Sequence, residues 1–173
     1  MNGGVSRNTL VGLAGAGAVA AGLAVGLYLW QAESARAPDS PSADWRGVRI
    51  SADAPELAAK GAPLYRDACA ACHGADLEGA VNWRQPLADG TLPPPPHDET
   101  GHTWHHPDGF LFAYTKFGGQ PFMPEGRRSA MPAFADAYSD DEILAILTYI
   151  KSTWPEDVAA RQARITEQAS GGD

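Results

Sequence analysis

The sequence predicts an all-α fold, one small domain of three or more helices preceded by a membrane-spanning helix, on three observations. Apolar residues recur at three- and four-residue spacing in three separate stretches, the period of a helix with one buried face. An uncharged run of 22 residues near the N-terminus has the length of a membrane-crossing helix. Between the first two periodic stretches lies an irregular segment with four consecutive prolines, Pro93 to Pro96, where neither regular helix nor central strand can form. At 173 residues the chain has room for one domain plus appendages.

Residues 1–8 form a short N-terminus carrying Arg7, the one basic residue before the uncharged run at 9–30. Arg7 places that end in the cytoplasm by the positive-inside tendency and leaves everything after Trp30 outside. The run exceeds the 7 to 15 apolar residues of a cleavable signal, so it is expected to stay as an anchor, although Ala35-Arg36-Ala37 offers a small-residue pattern for a peptidase. Gly22 and Gly26 make a small-xxx-small pair, but among so many glycines chance explains it as well. Residues 31–54, rich in Ala, Ser, Pro and charge, read as a flexible linker.

The portion after Trp30 carries 12 Lys and Arg against 21 Asp and Glu. That balance repels nucleic acid and bilayer surfaces, and it favours a cationic protein partner in an encounter, with plain solubility as the competing explanation.

The domain proper spans residues 55–154. Pro55 suits a first helical turn, and Leu57, Gly61, Leu64, Tyr65 and Ala68 carry a helix into Cys69. A second helix is expected from Pro107 to Phe117, with Phe110, Leu111, Tyr114 and Phe117 as its apolar stripe and Gly118 as its stop. The third begins at a capping box, Ser139 with Glu142, and buries Ile143, Leu144, Ile146, Leu147 and Ile150 before Trp154 and Pro155. Residues 155–173 read as a polar tail, with frayed helix around Val158 to Ile165 at most. The irregular stretch from Gly74 to His106 is too long for a compact domain unless something it wraps supplies the missing core.

That something is indicated by Cys69-Ala-Ala-Cys72-His73-Gly74, two cysteines at i and i+3 followed at once by histidine, the attachment pattern of one covalent c-type haem. On a helical turn both thiols reach one edge of the macrocycle, and the next imidazole projects under the iron as an axial ligand. Gly74 lets the chain turn away without a side chain against the ring. A thioredoxin-like dithiol would need alternating strands and helices, which the sequence lacks. Zinc held by the two cysteines with His102 and His106 would need a far longer gap than a finger loop and would leave His73 unexplained. A Cys69–Cys72 disulfide closes too small a loop to contribute much.

A second axial ligand could come from Met131, in Met131-Pro132-Ala133-Phe134 eight residues before the last helix cap, or from Met123. With these motifs in place, residues 55 to 154 resemble the class I c-type cytochromes, and more narrowly their membrane-anchored, single-haem bacterial members. The resemblance implies a small cytochrome c fold wrapped around one haem c, with His73 and Met131 as proximal and distal iron ligands. It also implies a helix crossing through Gly61, Tyr65, Ile146 and Tyr149, and a proline carbonyl from Pro93 to Pro96 holding the ligand histidine. The location implied is the periplasmic side of a bacterial inner membrane, single-pass.

Four of the five histidines, His97, His102, His105 and His106, fall within ten residues beside Trp104. Trp104 could pack near the haem edge while the imidazoles cap the second helix or bond propionates. The set could instead hold a second metal such as copper with Asp98 or Glu99, or one histidine could replace Met131. The function expected is a one-electron carrier, not an enzyme, shuttling between redox protein partners. The alternatives are a copper-handling or assembly module and a haem subunit of a larger oxidoreductase. No Ser/His/Asp set, Gly-rich phosphate loop or paired-carboxylate arrangement stands out.

Overall fold

The computed structural model describes Trp45 and residues 47–171; the expected membrane segment 9–30 and the linker before Trp45 lie outside the described residues. Among the described residues no helix is long and apolar enough to cross a membrane. The described chain is helical, with an isolated bridge between Thr91 and Arg128 in place of any strand.

Helix α1, Pro55–Ala68, starts with proline at its first position and buries Ala58, Gly61 and Tyr65. After a break at Cys69 the short helix α2, Ala70–His73, follows. Helix α3 is Asp108–Phe117, α4 is Asp140–Ser152 and α5 is Glu156–Ser170. The expected capping box of α4 is present: Ser139 Oγ accepts the Glu142 amide, and a Glu142 carboxylate oxygen accepts the Ser139 amide at 2.8 Å.

The core lies where α1, α3 and α4 meet, around Tyr65, Leu111, Phe112, Ile143, Ile146 and Ile150. Helices α1 and α4 pack backbone to backbone: a Cβ added at Gly61 would sit 1.9 Å from the Ala145 carbonyl oxygen. Tyr65, one turn on, meets Tyr149 at 5.5 Å between ring centroids.

Helix α3 turns a different stripe inward from the one expected. Leu111 and Phe112 are buried, whereas Phe110, Tyr114 and Phe117 are half-buried and serve other contacts. Phe110 and Tyr114 pack on Phe122, and Phe117 packs on Trp45. The helix is apolar on more than one face, so periodicity alone did not single out the inner one.

Both ends of the domain reach further than expected. Trp45 packs on Phe112, and Ile50 is buried, so Trp45 and residues 47–54 join the domain where a flexible linker was expected. Residues 156–170, expected as a polar tail, form a full helix with Gln162 and Thr166 buried. The reason is a buried carboxylate. Asp108 Oδ1 accepts Lys151 Nζ at 2.5 Å and Gln162 Nε2 at 2.8 Å, Oδ2 accepts the Ile50 amide at 2.8 Å, and the Asp108 amide donates to Thr166 Oγ1 at 3.0 Å. Gln162 also donates to the His106 carbonyl. A buried charge is stable only when its remaining lone pairs are occupied, and α5 and the segment at Ile50 supply the partners.

Two consequences can be measured by urea unfolding. Gly61→Ala forces α1 and α4 apart and is expected to cost about 1–3 kcal/mol. Lys151→Met leaves Asp108 buried without its counter-charge and is expected to cost about 3–5 kcal/mol; wild-type stability in that variant would mean that the carboxylate is not held as an ion.

Candidate haem site

The cysteine pair is presented by a continuation of α1. The Cys69 amide donates to the Tyr65 carbonyl at 2.8 Å, and the Cys69 carbonyl accepts the amides of Cys72 and His73 at 3.1 and 2.9 Å, so residues 69 to 73 form one helical turn. The Tyr65 hydroxyl donates to the Gly74 carbonyl at 2.9 Å and ties the end of that turn to the core. Gly74 has a φ of +85°, a region open to glycine at little cost.

On this turn Cys69 is buried, Cys72 is exposed, and no disulfide joins them. Burial, and secondarily Cys72, pushes the Cys69 thiol up to about 11. Tyr65 is likewise raised, first by its burial, and remains a hydroxyl donor. His73 is 6% exposed. Its Nδ1 lies 2.8 Å from the Pro95 carbonyl oxygen. A carbonyl can only accept, so Nδ1 carries the proton and the lone pair is on Nε2. Burial lowers the His73 pKa, and the Pro95 bond opposes that shift. An imidazole whose tautomer is fixed by a backbone carbonyl, directly after two cysteines on one helical turn, is the set of groups that a covalent haem requires.

The proline loop places Pro95. The Gly79 amide donates to the His73 carbonyl at 2.7 Å, the Ala80 amide to the Pro94 carbonyl at 2.8 Å, and the His97 amide to the Leu77 carbonyl at 2.7 Å. Gly79, at a φ of +66°, passes so close that a Cβ there would lie 2.3 Å from the Pro96 nitrogen. Leu77 is held at a φ of +68°, costly for a branched side chain. Its burial and the two amides, His97 and Asp98, that its carbonyl accepts offset the strain.

The histidines do not converge. His97 stacks on His73 at 4.0 Å between ring centroids, and its Nδ1 lies 2.8 Å from Thr103 Oγ1. His102 stacks on Trp83 and meets His106 edge-on, His106 stacks on Phe110, and His105 stacks on Trp104. Asp98 Oδ1 is engaged with Thr100 in its own turn. Among the described residues no group of three or more His, Cys, Asp or Glu side chains could hold a metal ion, so the second-metal reading finds no ligand set. At the start of α3 the N-cap residue is Pro107, with no side-chain cap bond, and the Asp108 amide donates to Thr166 Oγ1 rather than to an imidazole.

Met123 and Met131 are both half-buried. The Met131 backbone is pinned to the end of α3: its carbonyl accepts the Gly119 amide at 3.1 Å, and its amide donates to Ser129 Oγ at 3.2 Å. Gly118, at a φ of +78°, leaves the room, since a Cβ there would lie 2.8 to 3.0 Å from Ala133, Pro132 and Met131 backbone atoms. Met123 follows a short 3-10 turn at Gln120–Phe122 and is tied only locally, through its amide to Gln120.

Against known families, the cytochrome c model matches residues 58–154. The chain belongs to the cytochrome c family. No curated protein and no solved structure matches it. Members of this family carry covalently attached haem c and transfer electrons with it, which agrees with the tautomer of His73 and the cysteine pair beside it. Sequence reasoning did not find the Tyr65 bond to Gly74, the role of Gly79 or the His97 stack. Of the four prolines Pro93 to Pro96, alike at the sequence level, the fold selects the Pro95 carbonyl.

The histidines also set an acid limit. Burial, then His102 and His105, lowers His106 from 6.5 to about 4. As pH falls through that window the unfolded chain binds the proton first, so stability present above the unfolded value is lost on acidification. His97 and His102 are lowered in the same direction, each mainly by burial. The loss of unfolding free energy between about pH 7.5 and about pH 4.5 is expected to shrink in His106→Phe, which can keep the stack on Phe110; an equal loss would exclude His106 as a contributor.

Proposed function

We propose that this cytochrome c is a one-electron carrier with a single haem attached through Cys69 and Cys72, ligated by His73 and Met131. It is anchored by residues 9–30 and works on the periplasmic face of a bacterial inner membrane. The observation that carries the reading is the His73 Nδ1 to Pro95 hydrogen bond directly after the cysteine pair. It leaves Nε2 as the one ring atom able to bind iron, and it is made by a residue whose neighbours in sequence supply the attachment thiols.

When bound, the haem supplies a ferric/ferrous one-electron couple. The chain's own residues do the rest. Tyr65 and Gly74 hold the attachment turn, Pro95 orients His73, and the backbone contacts at Gly118 and Gly119 favour Met131 over Met123 as the distal ligand. Were His73 and Met131 both to hold the haem iron, no open position would remain for substrate, which fits a carrier rather than an enzyme. The tether raises the local concentration of redox partners, and the acidic surface suits a cationic one.

The full chain, co-expressed with haem-attachment machinery, is expected to keep its haem after denaturation and to lose it when Cys69 and Cys72 are both changed to alanine. Visible spectra should show low-spin c-type bands with a weak far-red sulfur-to-iron band that vanishes in Met131→Ala and survives in Met123→Leu. Loss in the Met123 variant alone would move the ligand there, and absence of covalent haem from the wild-type chain would overturn the reading. In fractionated cells, deletion of residues 1–30 should remove the protein from the membrane.

A further inference from the structure

His97 is held more tightly than a loop residue needs to be. Its amide donates to the Leu77 carbonyl at 2.7 Å, and its carbonyl accepts Trp154 Nε1 at 2.7 Å, so its backbone is fixed from two sides. Its ring is fixed by Thr103. The Thr103 hydroxyl has one proton, which it donates to the Pro96 carbonyl at 3.3 Å, so its oxygen accepts from His97 Nδ1 at 2.8 Å. Trp154 and Thr103 are themselves buried. The ring thus held lies face to face with His73, 4.0 Å away between centroids and tilted by 21°.

The Pro95 bond alone leaves the His73 ring free to rock, because one hydrogen bond to a carbonyl tolerates a broad range of angles. A flat ring packed against its face removes that freedom. We propose that His97 is a positioning residue for His73: the stacked imidazole, locked by Thr103, sets the plane that the ligand ring presents at Nε2. The role exists only if His73 ligates iron as proposed above. Leu77, Pro96, Thr103 and Trp154 then form a frame whose purpose is the orientation of one ring.

The test uses the full chain with its haem, in wild type, His97→Leu, His97→Phe and Thr103→Val. Covalent haem is scored first by in-gel peroxidase staining after denaturation. The proton NMR spectrum of the ferric protein is then recorded, since the spread and order of the haem methyl resonances report the plane of the axial imidazole. His97→Leu and Thr103→Val are expected to shift that pattern, and His97→Phe, which keeps a flat ring, to restore most of it. Thermal midpoints measured alongside separate positioning from stability, because a purely structural His97 would lower the midpoint and leave the methyl pattern unchanged. Wild-type patterns in both the Leu and the Thr103 variants would overturn the proposal. If His97→Leu fails to take up haem, Thr103→Val decides alone. Wild type without haem would overturn the carrier reading, and this role with it, at the staining step.

Discussion

Helices α1 and α4 can touch backbone to backbone because Gly61 has no side chain, and the rest of the architecture follows from that approach. With the Ala145 carbonyl against Gly61, Tyr65 is drawn fully into the core and lies against Tyr149. Its hydroxyl then reaches the Gly74 carbonyl, nine residues along, and closes the turn that carries both cysteines and His73. Contact at the helix crossing is thereby converted into the position of the reactive groups. A larger residue at 61 would displace α4 first and the cysteine turn with it.

The loop that follows is irregular in secondary structure and yet closely specified. Its amides and carbonyls are used between residues 77–80 and 94–98, so the two halves of the loop brace one another with no strand being formed. Prolines contribute by what they lack: with no amide to satisfy, Pro95 and Pro96 can sit against Gly79 and His73 and offer carbonyls alone. His73 and Thr103 donate to those carbonyls, which places the histidine's proton on Nδ1 and directs its Nε2 away from the loop.

The second polar centre, at Asp108, works by the same accounting. A carboxylate with the Lys151 ammonium, the Gln162 amide and the Ile50 amide around it joins the start of α3, the end of α4, the middle of α5 and the segment before α1. Four parts of the chain distant in sequence meet at one buried charge. Lys116 makes a smaller link of the same kind, pairing with Asp140 at 2.9 Å and so tying the last turn of α3 to the first of α4.

How much of this was legible in the sequence depended on the range of the interaction. Local patterns determined the three main helices, the capping box at Ser139 and Glu142, the absence of regular helix or strand in the proline stretch and the attachment motif at Cys69, Cys72 and His73, because each is decided within a few residues. Contacts between distant segments were not legible. The inner face of α3, the packing of Trp45 and Ile50, the selection of Pro95 and the stack of His97 on His73 all depend on where another segment comes to rest. Helix α5 escaped for a further reason: its buried positions are Gln162 and Thr166, and a search for apolar period passes over a helix whose inward face is polar. The sequence by itself determined which groups could do the chemistry. Tertiary structure decided which backbone carbonyl and which neighbouring ring would hold them, since both are supplied across gaps of more than twenty residues that no local rule spans.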